Sequence, residues 1–498
     1  MRSLLLLVPL AAVAYFVWQS TRSRIFLLGI PFLQFFRQSV FFESLRPFWI
    51  PGRLSTVAVT MLWLILVWAV CTGQLLPSRR SAGEQRVPPF GPRPLPEELM
   101  LVALAGVLAL SLFATAVRHA DLSSALGEAS GVAFMLLGYL LVRGIVSHSE
   151  RAEVMRFVKA IVAVSTVAAG LFIIHQGLHI PIYSADEYFQ TVFRGQVITR
   201  TFVFMSPLLI FGLAVAFAER HWTVWTYVII GVNLVAIWVS YTRTMLAMAA
   251  VVAAISIFAR LLKGGQEMLA LRRAFTVGAV VLAVAVALVT LLPTESNYFV
   301  GRIQNAMEGG GVTSANSLAL RNARLARTVE MVADDDIVLG SGFVSAAQDP
   351  LYTMMKEWSW DSAWIAIIYR MGLAGVAVFA VLLLAYAARA FWLFLRPDPW
   401  AEEYGLLWFT FLVATGIGSF IGWGFMDQTR YPMNLWFLAF LAAGVLLPQA
   451  AGDALPQAET APEASAAAQS EPRAALSSAS IPGSTGEVKR ERGGGEIG

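Results

Sequence analysis

The side chains best placed to do chemistry in this chain are arginines set in or beside apolar runs. "WVSYTRTMLAM" puts Arg243 between two such runs. A guanidinium there is costly unless it snorkels to an interface or binds an anion. Arg243 therefore reads either as a snorkelling helix cap or as a ligand for phosphate or pyrophosphate, which its planar fork meets in bidentate geometry. A second group lies in "SLALRNARLARTVEMVADDDIVLGSGF". From Ser317 to Asp334 the spacing predicts a helix on which Leu318, Leu325, Val329 and Val332 form an apolar stripe, while Arg321, Arg324 and Arg327 line other faces. Such a helix either lies on a membrane surface, held by lipid headgroups, or lets Arg321 or Arg324 reach the leaving phosphate of a lipid-linked substrate. The third group is in "WSWDSAWIAIIYRMGLAG", where Asp361 stands at the seam between a wet segment and an apolar one and Arg370 follows nine residues later. On a helix that is a separation of roughly 13 Å, so the two do not pair. Asp361 suits an N-cap, and Arg370 suits a salt bridge to another helix or a wet cavity.

Other candidates are less specific. Asp334, Asp335 and Asp336 could suggest a divalent cation, but three consecutive carboxylates cannot converge on one point of a helix or strand. They read as a solvated helix end. His175 and His179 could share a helix face, yet no carboxylate stands near them at metal spacing, so no metal site is expected. Arg194, Arg200 and Arg430 lie in segments assigned below to the same face as Arg243, and Asp427 accompanies Arg430 in "FMDQTRYPMNLW". The one cysteine, Cys71, excludes both a disulfide framework and a thiolate metal site.

These residues must be positioned by helices in a bilayer. Of the 498 residues, 57% are hydrophobic and 14% charged, with a mean hydropathy of +0.67, which excludes an ordinary soluble domain. A hydrocarbon core about 30 Å thick takes roughly 20 apolar residues per helix. Runs of that kind are Leu4–Trp18, Leu54–Thr72, Leu99–Val117, Ala129–Val142, Ala160–Ile174, Phe202–Ala218, Val224–Val239, Met245–Ala259, Ala274–Leu292, Ala363–Ala388, Leu406–Phe425 and Asn434–Leu447. The expected fold is thus all-α, a polytopic membrane bundle of about 12 transmembrane helices. The opening run reads as a retained first helix, because it lacks a small-residue cleavage pattern. Ile25–Phe36, broken by Pro31, reads as interfacial or re-entrant.

Arginine and lysine crowd into alternate short loops: "RGIVSHSERAEVMRFVK", "ERHW", "RLLKGGQEMLALRR" and the stretch from Arg389 to Arg396. The positive-inside rule makes that face cytoplasmic. The segment from His175 to Thr201 and the long loop from Pro293 to Asp361 then face the periplasm, the second carrying the short amphipathic helix. Residues 1–292 form an N-terminal helical region, 293–361 the long loop, 362–448 a C-terminal helical region, and 449–498 a tail rich in Ala, Ser, Pro and Glu. That tail has too little apolar surface to offset its ordering entropy. A net charge of +4, spread along the chain, argues against nucleic acid as a partner.

The order of these features resembles the O-antigen ligase and polymerase superfamily, the Wzy-type integral membrane glycosyltransferases of bacterial surface polysaccharides. The shared elements are an Arg after Ser or Thr at a helix start, as in "SYTRT"; a long outward loop whose Arg-bearing helix runs into a Gly-x-Gly turn, as in "LALRNARLARTVEMVADDDIVLGSGF"; and a polar pair opening a helix that closes on GLxG, as in "DSAWIAIIYRMGLAG". The resemblance extends from about Arg194 to Leu447 and lies in order and spacing. Two departures stand out. Ligases of the family carry His then Asn where this chain has Asp361 and Ser362, and the Pro usual before the Gly-x-Gly turn is absent, with Asp336–Leu339 in its place. The first favours a polymerase over a lipid A core ligase; the second leaves the choice between Arg321 and Arg324 open.

The resemblance implies a glycan carried on undecaprenyl pyrophosphate as substrate, catalysis at the periplasmic face of the inner membrane, no cofactor and no metal. A chain-length regulator and a flippase are the partners it implies, beside the bilayer itself. Asp361 would act as general base toward the acceptor hydroxyl, and Arg243 with Arg321 or Arg324 would stabilise the leaving pyrophosphate. Arg194 or Arg200 is a weaker third, Arg370 would stabilise the cavity below Asp361, and Arg430 would close the same site. The alternatives are a ligase that moves the glycan to an acceptor, and, from another class, a polysaccharide transporter or flippase. The long loop with its own arginine helix speaks against the last.

Overall fold

The computed structural model describes residues 96–119, 136, 139, 142, 143, 146, 150–178, 180, 188–193, 196–201, 206–240, 242–263, 267–291, 296–298, 300, 301, 304, 317–343 and 363–421. The expected spans Leu4–Trp18, Leu54–Thr72 and Asn434–Leu447, the Ile25–Phe36 piece, Cys71 and the tail 449–498 lie outside these residues. In chain order the elements are α1 (Glu98–His119), α2 (Arg151–Leu178), β1 (Tyr188–Phe193), β2 (Gln196–Thr201), α3 (Ser206–Ala218), α4 (Val224–Val239), α5 (Arg243–Leu262), α6 (Glu267–Leu291), α7 (Ser317–Asp335), α8 (Ala363–Phe394) and α9 (Pro399–Ile421).

Five of these helices are long and apolar enough to cross a membrane: α1, α2, α5, α6 and α8. Leu208–Ala218 in α3 and Val224–Val239 in α4 are apolar but shorter. The chain is a multi-pass helical membrane protein. Several helices run beyond the apolar stretch that announces them. The "basic loop" after Val142 is largely the first turns of α2, and that after Ala259 is largely the end of α5 and the start of α6. Charged residues at a helix end sit outside hydrocarbon, so nothing forces the helix to stop where the apolar run does. Local signals set the starts instead. Thr223 and Thr226 form a reciprocal capping box at α4. Asp398 accepts from the amide of Trp400 at 3.0 Å with Pro399 in the first position of α9, where its missing N–H is not needed.

One stretch expected to be loop is not. β1 and β2 pair antiparallel from Tyr188 with Thr201 to Phe193 with Gln196. "YFQTVF" and "QVITRT" are rich in aromatic and β-branched residues, which favour a pleated conformation. The two-residue spacing between them is a hairpin signal.

Ionic contacts sort the helix ends into two levels. At one level, Arg260 near the end of α5 reaches Glu402 (3.2 Å) and the Ala218 carbonyl at the end of α3 (2.7 Å). Lys263 donates to Glu402 (2.8 Å) and to the Phe394 and Arg396 carbonyls at the end of α8 (both 3.1 Å). Arg273 donates to the carbonyls of Phe217 (3.2 Å), Glu219 and Arg220 (2.7 Å). The start of α1 joins the same level: Glu97 takes Arg389 at 2.7 Å, and Glu98 takes Arg143 together with the Tyr139 hydroxyl at 2.9 Å. Tyr139 in turn shares a 2.5 Å hydrogen bond with Tyr386. The last carbonyls of a helix have no partner of their own; here cations from neighbouring helices supply it, and Arg260 and Lys263 are themselves paired with Glu402. The starts of α5 and α8 and the end of α1 must therefore lie at the opposite level.

Where α8 meets α9 the backbones nearly touch. A Cβ on Gly405 would stand 2.7 Å from the Ala390 carbonyl oxygen and 2.8 Å from the Leu393 carbonyl carbon, and backbone cannot swing aside. Gly405→Ala should therefore lower stability by about 1 to 3 kcal/mol, seen as a lower thermal midpoint of the purified protein in detergent. Gly416→Ala, on the same helix with nothing within 4 Å of the new Cβ, should leave that midpoint unchanged or raise it.

Candidate functional site

At the level opposite the ion pairs, α7 lies against the head of α8. Its apolar stripe, Leu325, Val329 and Val332, packs on Ile365, Ile368 and Tyr369, with Met331 and Val376 at the margin. The stripe is where the spacing placed it, but its partner is a protein helix instead of lipid. The first turns of α8 explain the difference. Trp364 to Tyr369 are all buried, with Trp364, Ile367 and Met371 facing the main core and Ile365, Ile368 and Tyr369 facing α7. A segment apolar on every face needs protein on every side, and α7 covers the side that the bundle leaves open.

The helix α8 is opened at Gly372, where φ is 59° and ψ is −158°. In an unbroken helix the amides of Leu373 and Ala374 would bond to the carbonyls of Tyr369 and Arg370. Instead Leu373 donates to Ile337 at 2.9 Å and Ala374 to Val338 at 3.1 Å. The released Tyr369 carbonyl accepts from the Ser341 amide at 2.8 Å, and the Arg370 carbonyl accepts from the Ser111 hydroxyl of α1 at 2.5 Å. These four backbone groups thus find partners outside α8, three of them in the turn that follows α7. Glycines make this approach possible. A Cβ on Gly340 (φ 76°) would sit 2.6 Å from both the Gly372 amide nitrogen and the Tyr369 carbonyl oxygen. One on Gly372 would strike the Val338 carbonyl, and one on Gly342 (φ 87°) the Thr115 hydroxyl. The left-handed conformation and the contact both demand glycine.

Three side chains of α1 hold the turn from its other side. Ser111 bonds to the Arg370 carbonyl, Thr115 accepts from the Phe343 amide at 2.9 Å, and Arg118 donates to the Gly340 carbonyl and to Asp336, each at 3.1 Å. Asp336 also accepts from the amides of Val338 (2.9 Å) and Leu339 (3.0 Å). Its carboxyl is held below the usual carboxylate range, chiefly by the Leu339 amide, with the Val338 amide and the Arg118 charge adding to it and outweighing the desolvation that opposes them. Asp336 is thus not a merely solvated helix end.

The sequence-predicted site residues fall as follows. Arg321 lies in the second turn of α7, and Arg324 is half-buried beside Leu325 of the packing stripe. Arg243 is the first residue of α5. It stands where a helix presents N–H donors. Thr242 before it makes no side-chain cap and instead donates to the Ser240 carbonyl at 3.1 Å. Arg370 is half-buried, two residues before the break. The regular helix from Leu373 to Phe394 is about 33 Å long and by itself matches a hydrocarbon core of about 30 Å. Arg370 lies on the far side of the break from that regular stretch. Arg200 sits in β2 opposite Phe189. Asp361, Ser362, Arg194, Asp427, Arg430 and His179 lie outside the described residues. His175 donates from Nδ1 to the Ile180 carbonyl at 2.7 Å and stacks near Phe172, a structural role. Among the described residues no group of three His, Cys, Asp or Glu is placed to hold a metal ion.

Sequence reasoning missed Ser111, Thr115 and Arg118. Their spacing of four and three residues puts them along one face of α1, but nothing local to α1 distinguishes that face. No protein-family model matches this sequence, and no curated protein matches it significantly.

Because the Asp336 carboxyl is held below its ordinary value of 3.8, its contribution to the turn is fully present above that value and is lost as the pH falls through the lower folded one. Hydrogen–deuterium exchange of the peptide 336–343, corrected for intrinsic rates, should show constant protection from neutral pH to about 4 and a loss below it. Asp336→Asn should remove that step and expose the peptide at every pH.

Proposed function

We propose that this protein is a membrane glycosyltransferase that polymerises glycan repeat units carried on undecaprenyl pyrophosphate, acting at the periplasmic face of the bacterial inner membrane. The observation that carries this reading is the docking of the arginine helix. α7, with Arg321 and Arg324, packs on the head of α8 through Leu325, Val329 and Val332 and is joined to it by backbone hydrogen bonds at Gly372. Asp361 is two residues upstream of the first residue of α8. A transferase of this kind needs guanidinium groups and a carboxylate held by one support, and α7 with the head of α8 offers that support. Arg243 opens α5 at the same level of the bundle. A cation there opposes the helix macrodipole, an arrangement that a bound anion relieves.

In the reaction the acceptor hydroxyl attacks the anomeric carbon of the donor sugar. The bond from that carbon to the phosphate oxygen breaks, with its electron pair staying on the pyrophosphate. Asp361 takes the hydroxyl proton. Negative charge grows on the leaving oxygen as the bond lengthens, so Arg243 and Arg321 or Arg324 stabilise the transition state more than the bound donor. Arg370, Arg200, Arg194 and Arg430 are assigned to substrate binding around this centre. The basic residues at the other level face the cytoplasm in this reading.

Deletion of the gene, followed by gel analysis of surface polysaccharides, tests the reading. Single-repeat products are expected of a polymerase. Full-length glycan retained on its lipid would reassign the protein as a ligase, and complete loss of surface repeats as a flippase. Complementation with Asp361→Asn or Arg243→Ala, at normal protein levels, should lower polymer output by at least 100-fold and 10-fold respectively, on the order typical of a lost base and a lost charge ligand. Full activity in either variant removes that residue from the mechanism.

A further inference from the structure

Arg118 belongs to none of the elements through which the arginines and Asp361 were assigned, yet it holds the turn that ties two of them together. Its guanidinium spans Asp336, which closes the end of α7, and the carbonyl of Gly340, the residue packed against Gly372. Thr115, one turn nearer the middle of α1, accepts from the Phe343 amide of the same turn, and Ser111, two turns nearer, donates to the Arg370 carbonyl beside it. Among the described residues α7 is held by this turn and by its apolar stripe. Its packing partner is the head of α8, and that head is separated from the rest of α8 by the opening at Gly372. With the head of α8 anchored in the main core by Trp364, Ile367 and Met371, a turn loosened from α1 would let α7 shift against that head.

We infer that Arg118 is a positioning residue of the transfer reaction: by latching the turn 336–343 to α1 it sets where α7, and with it Arg321 and Arg324, stands relative to the bundle that carries Arg243. This rests on the transferase reading above. Arg118 touches no substrate in this scheme. It acts through Asp336 and Gly340, and its removal displaces the guanidinium groups of α7 from the pyrophosphate without deleting any of them. A displacement near 1 Å is enough to lose about 100-fold in rate.

The test uses the full chain in liposomes, with Cys71→Ser as background and spin labels at Ala326→Cys on α7 and Leu110→Cys on α1. Electron–electron distance measurement should give a narrow distribution in the parent. Arg118→Ala should broaden or shift it, and Arg118→Lys, which keeps a single charge contact, should restore part of the narrow population. Transfer assayed on the lipid-linked glycan extracted from the deletion strain should show kcat lowered roughly 10- to 100-fold with KM for that donor unchanged, and partial rescue by Lys. A role in folding alone would lower the yield of protein but not divide kcat from KM. Ser111→Ala serves as a second variant, expected to change distance and kcat in the same direction should Arg118→Ala be poorly produced. An unchanged distance in Arg118→Ala overturns the latch, and a changed distance with unaltered kcat overturns its positioning role. A parent chain that transfers nothing overturns the functional reading itself, and the distances then judge the latch alone.

Discussion

The architecture depends on one accounting problem, the fate of backbone N–H and C=O groups where a helix opens next to a bilayer. Hydrocarbon offers such groups no partner, and each one left unsatisfied costs several kcal/mol. An opened turn in a membrane helix therefore survives only where protein meets it. At Gly372 the turn after α7 and the Ser111 hydroxyl take up the amides of Leu373 and Ala374 and the carbonyls of Tyr369 and Arg370. The docking of α7, the glycines at 340, 342 and 372, and the polar face on α1 all follow from that one demand. They form a single joint, and none of its parts makes sense alone.

The two levels of the bundle are held by different physics. At one, Arg260, Lys263 and Arg273 cap the carbonyl ends of α3 and α8 and are balanced by Glu402 and its neighbours. Such pairs, once buried, are costly to break because either partner alone is left uncompensated. At the other, the joint is made of backbone hydrogen bonds and close glycine contacts, with Arg118 and Asp336 at its partly exposed rim. The first arrangement fixes the helices to one another. The second fixes an amphipathic helix onto the bundle, and in the proposed mechanism it holds phosphate-binding arginines at a distance set by backbone geometry instead of flexible side chains.

Some of this is legible along the chain. The apolar stretches announce α1, α2, α4, α5, α6, α8 and α9, and the stripe of Leu325, Val329 and Val332 announces both α7 and the face that it buries. Other features are concealed by context. The hairpin of Tyr188–Phe193 and Gln196–Thr201 is hard to see in the sequence, because its strands are short and the second runs straight into the apolar stretch that leads to α3. "AWIAIIYRMGLAG" reads as one continuous apolar helix, and only the positive φ of Gly372 divides it, two residues after Arg370. The basic segments report topology by their charge, but their spacing does not show that Arg260, Lys263 and Arg273 also bind the carbonyl ends of neighbouring helices.

That the chain is a helical membrane protein, where most of its helices run and which face of α7 is apolar can all be read from the residue order. Those properties follow from hydropathy and periodicity, which are local and survive in any arrangement of the helices. What covers that face, where α8 opens, and the contacts of Ser111, Thr115 and Arg118 with groups more than 200 residues away come from the packing of the helices. A hydrogen bond between distant segments leaves no mark on the spacing of either one. The partners of Arg118 and Gly372 are therefore fixed by how the helices pack.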